Sequence, residues 1–267
     1  MINKNVFAKM TEGKLSIRIL GSGTSTGVPQ IGCDCEVCRS VDPHDKRLRQ
    51  SALVTYRGKN ILIDCGPDFR QQMLACGSPH IDALLITHIH YDHIAGLEDL
   101  RGFKDLPIFA RADVIAALHQ RLAYCFAQHP YPGVPHFNLV EIDDINPFDC
   151  AGITVEPIPV MHYKMPILGF CMGPLAYITD CKTISLQQVE RLHGVPLLVI
   201  NALRIEEHLS HLSLAQALEI IEQVKPERAV LIHMSHGIGL HEKVSKILPE
   251  NVSLAYDGMV IEINKQL

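Results

Sequence analysis

The stretch Ile86-Thr87-His88-Ile89-His90-Tyr91-Asp92-His93 constrains this chain more than any other, because it sets four metal-competent side chains within six residues. It follows the apolar run Ala83-Leu84-Leu85-Ile86, which reads as a buried strand. Side chains alternate along a strand or a strand-like turn, so His88 and His90 fall on one side and can share one cation. Asp92 and His93 lie round the bend, where they can reach a second. Spacing this dense has little use except to bind metal.

Further donors follow other apolar runs. Gly152 to Pro159 reads as a strand that delivers His162 just past its end, Leu175 to Thr179 as one that delivers Asp180, and Ala229 to Ile232 as one ending at His233. Leu197 to Ile200 ends at Asn201 in the same way. Open α/β architectures place their sites at such carboxyl ends, so these residues are candidates for one cleft. The inventory is His88, His90, Asp92, His93, His162, Asp180 and His233, too many ligands for one zinc. Two divalent cations about 3.5–4 Å apart use them all, with Asp180 bridging through its two oxygens. A thiolate-free set suits Zn or Mn better than copper(I). Such a pair lowers the pKa of a shared water towards neutrality, which makes hydrolysis the natural reaction. Phosphodiester, thioester and lactam substrates all stay open on ligand chemistry alone.

A second cluster, Cys33-Asp34-Cys35-Glu36-Val37-Cys38, brings three thiolates onto one side of a tight loop at about 32–40. A structural zinc there needs one more ligand from elsewhere. The other cysteines, Cys65, Cys76, Cys125, Cys150, Cys171 and Cys181, are scattered and read as small buried apolar side chains. Clustered thiols without a secretion signal at Met1 to Lys14 point to a reducing cytoplasm, and no run reaches membrane-spanning length.

With 267 residues and 47% hydrophobic content, the chain can bury one large core, so residues 1–267 read as a single α/β domain. A net charge of −5 argues against a broad nucleic-acid face. Lys46-Arg47-Leu48-Arg49 is the exception, as a solvated loop or a phosphate contact. Leu15 to Leu20 reads as a strand running into Gly21 to Gly27, a structural turn since it lacks the G-K-[ST] ending of a phosphate loop. Ser51 to Tyr56 and Asn60 to Asp64 read as a hairpin, with helices expected at 68–75, 94–101, 113–124 and 213–224 and closing strands at 253–256 and 259–263. Asp64 either orients a ligating histidine or caps the first of these helices. His119, His129 and His136 lack metal-like neighbours, and no internal repeat is visible.

The H-x-H-x-D-H motif, followed in order by His162, Asp180 and His233, resembles the metallo-β-lactamase superfamily over roughly Leu15 to Ile263. That resemblance implies an αββα sandwich: two mixed β-sheets flanked by helices, with a dinuclear site along one edge. Within the superfamily the chain is most similar to PhnP-type phosphodiesterases, which act on phosphoribosyl 1,2-cyclic phosphate. The similarity rests on Gly21 to Gly27, C-x-C-x-x-C, His162-Tyr163-Lys164 with Gly169, His211-Leu212-Ser213-Leu214, His233-Met234-Ser235-His236 and Tyr256-Asp257-Gly258-Met259. It implies that Cys33, Cys35, Cys38 and His236 hold a structural zinc and that His211 is the general acid, with Asp92 in the catalytic pair. Ser213 stands at a position that varies among relatives. Lys164, two residues past a ligand, is a candidate phosphate contact, with Arg204 and Arg49 weaker ones.

The expected function is hydrolysis of a small, cyclic-ribose-type phosphodiester with two Mn or Zn ions. The alternatives are a tRNA 3′-processing endonuclease, a thioester hydrolase, and a zinc-stabilised binding protein with a vestigial site. No Gly-rich basic arm for tRNA is present, so the expected partner is a small molecule, neither nucleic acid nor membrane. Homodimers are common in the superfamily.

Overall fold

Alternation of apolar side chains along β-branched runs builds two sheets whose inner faces share one core. The computed structural model describes residues 15–263, and the polar stretch Met1 to Lys14 lies outside the described residues. The first sheet is assembled from β1 (Leu15–Gly21), β2 (Ser51–Tyr56), β3 (Lys59–Ile63), β4 (Ala83–Leu85), β5 (Pro107–Arg111) and β6 (Asn138–Ile142). The second comprises β7 (Phe148–Cys150), β8 (Ile153–His162), β9 (Met165–Met172), β10 (Leu175–Ile178), β11 (Leu197–Asn201), β12 (Arg228–Ile232) and β13 (Val252–Leu254). The last strand, β14 (Val260–Ile263), returns to pair antiparallel with β1.

Within the first sheet, β1, β2 and β3 are antiparallel and β3 to β6 parallel; in the second, β7 to β10 are antiparallel and β10 to β13 parallel. The β2–β3 turn places Arg57 and Gly58 at φ 49 and 74, the primed-turn geometry that matches strand twist. Period-two sorting then divides the core. Val54, Ile61, Ile63 and Leu85 face the second sheet and pack with Ile158, Phe170, Tyr177 and Val199. Leu53, Leu62 and Leu84 point the other way, under the helices α2 (Phe69–Ala75) and α4 (Ala112–Arg121). On the second sheet lie α5 (Leu186–Arg191) and α6 (Leu214–Val224), the latter opened by a capping box of Ser213 and Gln216. The sequence of layers is the expected αββα sandwich. Of the short helices, α1 (Glu36–Arg39) carries Cys38, α3 (Tyr91–Ile94) carries Asp92 and His93, and α7 (His241–Ser245) follows His236 in the chain.

Several expectations need correction. The helix expected at 94–101 is broken: α3 stops at Ile94 and a 3₁₀ turn runs from Leu97 to Gly102. The helix expected at 113–124 starts at Ala112 and ends at Arg121, with a 3₁₀ turn after it. His162 is the last residue of β8 and not past its end. The basic cluster is not a solvated loop, because the Arg47 side chain is 0% exposed and bonded to Asp45. Cys76 is half-buried where the other scattered cysteines are buried.

Candidate metal centre

The donors converge where the carboxyl ends of the two sheets meet. His88 and His90 follow the end of β4, His90 in extended backbone, and α3 then turns Asp92 and His93 inward. From the second sheet, His162 closes β8 while Asp180 and His233 follow β10 and β12. Asp64, Asp180 and His233 adopt left-handed backbone, at φ 60, 53 and 56. Each such residue costs about 1 kcal/mol or more, a strain tolerated where neighbours over-determine the position.

The seven residues form two groups, His88–His90–His162 and Asp92–His93–Asp180–His233, with donor atoms in each within 4.8 Å of one another. Asp180 joins them. Its Oδ2 lies 3.5 Å from His88 Nε2 and 2.9 Å from His93 Nε2, and its Oδ1 2.9 Å from His233 Nδ1. Although so close, His88 Nε2, His93 Nε2 and His233 Nδ1 are buried without a hydrogen bond. Ring nitrogens that crowd a carboxylate but are not aligned with it as donors are the arrangement a cation between them satisfies. The residues present therefore fit a pair of divalent cations.

What holds each imidazole is local. The His93 Nδ1–H donates to Asp64 Oδ2 at 2.7 Å, and Asp64 is itself fixed by the Thr87 amide and hydroxyl. His88 Nδ1 lies 3.0 Å from the Thr87 hydroxyl, and His162 Nδ1–H donates to the Ser210 carbonyl at 2.8 Å. These contacts leave Nε2 of all three free to ligate. His233 is reversed: its Nε2 lies 3.1 Å from the Thr24 hydroxyl, so Nδ1 faces the site. Of the two alternatives for Asp64, the structure shows its carboxylate bonded to a candidate donor, His93, while the N-cap position of α2 belongs to Asp68.

The electrostatics carry the same signature. Burial alone pushes the His93 imidazole down, but Asp180, Asp92 and Asp64 outweigh it and hold its pKa well above the usual value. Burial likewise raises Asp180, and His233 and His93 reverse the sign, holding it well below the carboxylate range. His88, under burial and beside His93, is driven well below the usual histidine value. Two ionised carboxylates, Asp92 and Asp180, thus sit buried among these imidazoles, a concentration of negative charge that a cation would offset.

The thiolate loop docks beside it. Sγ of Cys33, Cys35 and Cys38 lie 3.2, 3.3 and 3.6 Å from His236 Nδ1. A tetrahedral zinc with ordinary bond lengths sets sulfur and nitrogen about 3.5 Å apart. The four donors fall within the spacing for a metal, and the Cys38 amide donating to Cys35 Sγ pulls that thiol down to about 6.

His211 stands on the site's inner wall, its Nδ1 3.9 Å from Asp180 Oδ1 and its ring 4.6 Å from that of His162. Burial pulls its pKa down to about 3 against the attraction of Asp180. Lys164 is exposed at the β8–β9 turn with Nζ 5.3 Å from the Tyr163 ring. The Arg204 guanidinium donates to the carbonyls of Glu206 and Glu207, and Arg49 to Asp68 and the Ser25 carbonyl. Both cations thus brace loops. The contacts of Thr24, Thr87 and Ser210 leave no mark in the sequence, since a hydroxyl or a carbonyl has no distinctive spacing.

A model of the β-lactamase superfamily domain matches residues 59–234. An octanoyltransferase of Porphyromonas gingivalis (strain ATCC BAA-308 / W83) is 47% identical over 253 residues, 93% of this chain and 51% of that protein. The chain therefore spans about half the length of that relative. Among solved structures, a diphosphatase from the PhnP family superposes with TM-score 0.87 at 37% identity, covering 94% of this chain and 97% of its own. The Zn²⁺-bound PqqB of Methylobacterium extorquens superposes with TM-score 0.80 at 21% identity, covering 93% of this chain and all of its own, and shows the shared fold. Among the described residues no helix is long and apolar enough to cross a membrane.

Proposed function

The chain belongs to the β-lactamase superfamily of metal-binding hydrolases, and from that premise we propose that it is a dinuclear metallophosphodiesterase acting on a small phosphate ester. The observation that carries the reading is the pair of donor clusters joined by Asp180, with three buried ring nitrogens left without hydrogen bonds. The PhnP-family diphosphatase, similar over nearly the whole length of both chains, supports cleavage of a P–O bond. When bound, two divalent cations, Mn or Zn, supply Lewis acidity and a water that ionises near neutral pH.

The chain's own groups do the rest. Asp180 spans the two clusters, and Asp92 and His93 complete one of them. His211 is the proton donor to the leaving oxygen. Its burial favours the neutral ring, and an anionic phosphoryl group brought alongside favours the imidazolium, so substrate binding loads the acid. Lys164, exposed beside His162, is the cation assigned to a second phosphate of the substrate, while Arg204 shapes the loop that carries His211. Cys33, Cys35, Cys38 and His236 hold a structural zinc.

The octanoyltransferase relative favours a second reading, hydrolysis of an acyl thioester or ester. A panel of cyclic ribose phosphates, nucleoside 2′,3′-cyclic phosphates, nucleoside diphosphates and octanoyl thioesters, assayed with Mn-loaded protein, separates the two. Turnover confined to the phosphate compounds is expected. Turnover of the thioester alone overturns the phosphodiesterase reading.

A further inference from the structure

Contacts that neither cluster needs for its own donors run from one to the other. The segment His233-Met234-Ser235-His236 begins with a donor of the dinuclear site and ends with a donor of the thiolate site. The glycine-rich turn grips it: the Met234 amide donates to the Ser22 carbonyl at 3.0 Å, and the Thr24 amide to the Met234 carbonyl at 3.1 Å. With His233 Nδ1 facing Asp180, its Nε2 lies 3.1 Å from the buried Thr24 hydroxyl and shares a hydrogen bond with it.

Behind that turn stands Arg47. A Cβ on Gly23 would lie 2.9 Å from the Arg47 Cβ, so only glycine lets the two backbones approach. The Arg47 amide and carbonyl pair with Val28, which packs against Val37 and Cys38 of the thiolate loop. Its guanidinium donates to the Ser235 carbonyl at 3.2 Å and to Asp45 at 3.3 Å. An ion pair this deeply buried is a poor way to gain stability, but it fixes geometry. Here it lies between the two metal-binding clusters. His88 and His162, by contrast, are held by Thr87 and Ser210, outside this path.

We infer that Thr24 and Arg47 are positioning residues through which the filled thiolate cluster sets the metal affinity of the Asp92–His93–His233 cluster, leaving the His88–His90–His162 cluster independent. The inference rests on the division of sites proposed above. Loss of an outer partner of a ligand typically weakens metal binding about 10–100-fold, which sets the size of the effect.

The test is a cobalt(II) titration of metal-free full-length protein, reading the near-ultraviolet thiolate-to-cobalt band for the cysteine cluster and the visible bands for the other two equivalents. Thr24→Val is expected to keep the thiolate band and weaken one remaining equivalent about tenfold. Cys35→Ser is expected to lose the band and weaken the same equivalent to a similar degree. In a His233→Ala background neither change has a further effect. Arg47→Met is expected to behave as Thr24→Val, and should it fail to fold, the near-isosteric Thr24→Val still decides. Cys35→Ser that loses the band while both other equivalents bind as in the wild type overturns the coupling alone. A wild-type protein without the band overturns the division of sites and the coupling with it.

Discussion

Asp64 illustrates how much of this site is decided one hydrogen bond beyond the candidate donors. Burial pushes its carboxyl up, and the His93 imidazole, held at 2.7 Å, opposes that. Asp64→Asn keeps an acceptor but removes the charge, so metal affinity should fall about tenfold, and Asp64→Ala about a hundredfold, in competition with a fluorescent chelator. Unchanged affinity would reduce Asp64 to a packing residue. Asp257 plays a different part, accepting from the Ser22 amide and hydroxyl and the Leu48 amide. Burial outweighs these donors and raises its pKa to about 6. Because the folded value exceeds the unfolded one, near 3.9, the native state binds this proton more tightly. The resulting stabilisation is complete below about pH 4 and is lost as pH rises through about 6. Asp257→Asn cannot titrate, so the stability of wild type relative to this variant should decline by roughly 2 kcal/mol between pH 4 and 7 in denaturant melts. Parallel curves would refute the assignment.

At the scale of elements, the turn after β3 is locked against α3. The Cys65 amide donates to the His93 carbonyl at 2.7 Å, and a Cβ on Gly66 would lie 2.0 Å from the Asp92 carbonyl oxygen. Gly66→Ala must therefore displace Asp92; a loss of about 2–3 kcal/mol is expected, with reduced metal content. Gly102→Ala, with open space around the added carbon, should stay within about 0.5 kcal/mol of wild type, and equal melting temperatures for the two variants would contradict the packing. The donors that the structure brings together are legible in the sequence because imidazoles and carboxylates sit directly after apolar runs. The strands β5, β6, β7 and β9 carry weaker local signals: β7 has three residues, β5 opens on Pro107, and β9 contains Pro166 and Gly169. The burial of Arg47 is hidden from the sequence for a related reason. Its basic neighbours suggest solvent, and its burial comes from contacts with Ser235 and Asp45 that no local pattern encodes.

The whole molecule repeats itself in backbone though not in sequence. A meander, β1–β2–β3, leads into parallel β4–β6, and β8–β9–β10 leads into parallel β11–β13. Asp64 and Asp180 follow the third strand of each half, both in left-handed backbone. The site thus lies where the two parallel halves meet, with His88, His90, Asp92 and His93 from the first sheet and His162, Asp180 and His233 from the second. Cations held by these donors would tie the sheets together, so chelation should lower the melting temperature by several degrees, and His93→Ala should shrink that shift. A melt insensitive to chelator would argue against ligands drawn from both sheets. The most direct test of the central claim is anomalous diffraction from crystals soaked in Mn or Zn. Two peaks about 3.5–4 Å apart on either side of Asp180, with a third among Cys33, Cys35, Cys38 and His236, are the predicted result; a single peak, or none, among the seven donors would contradict it.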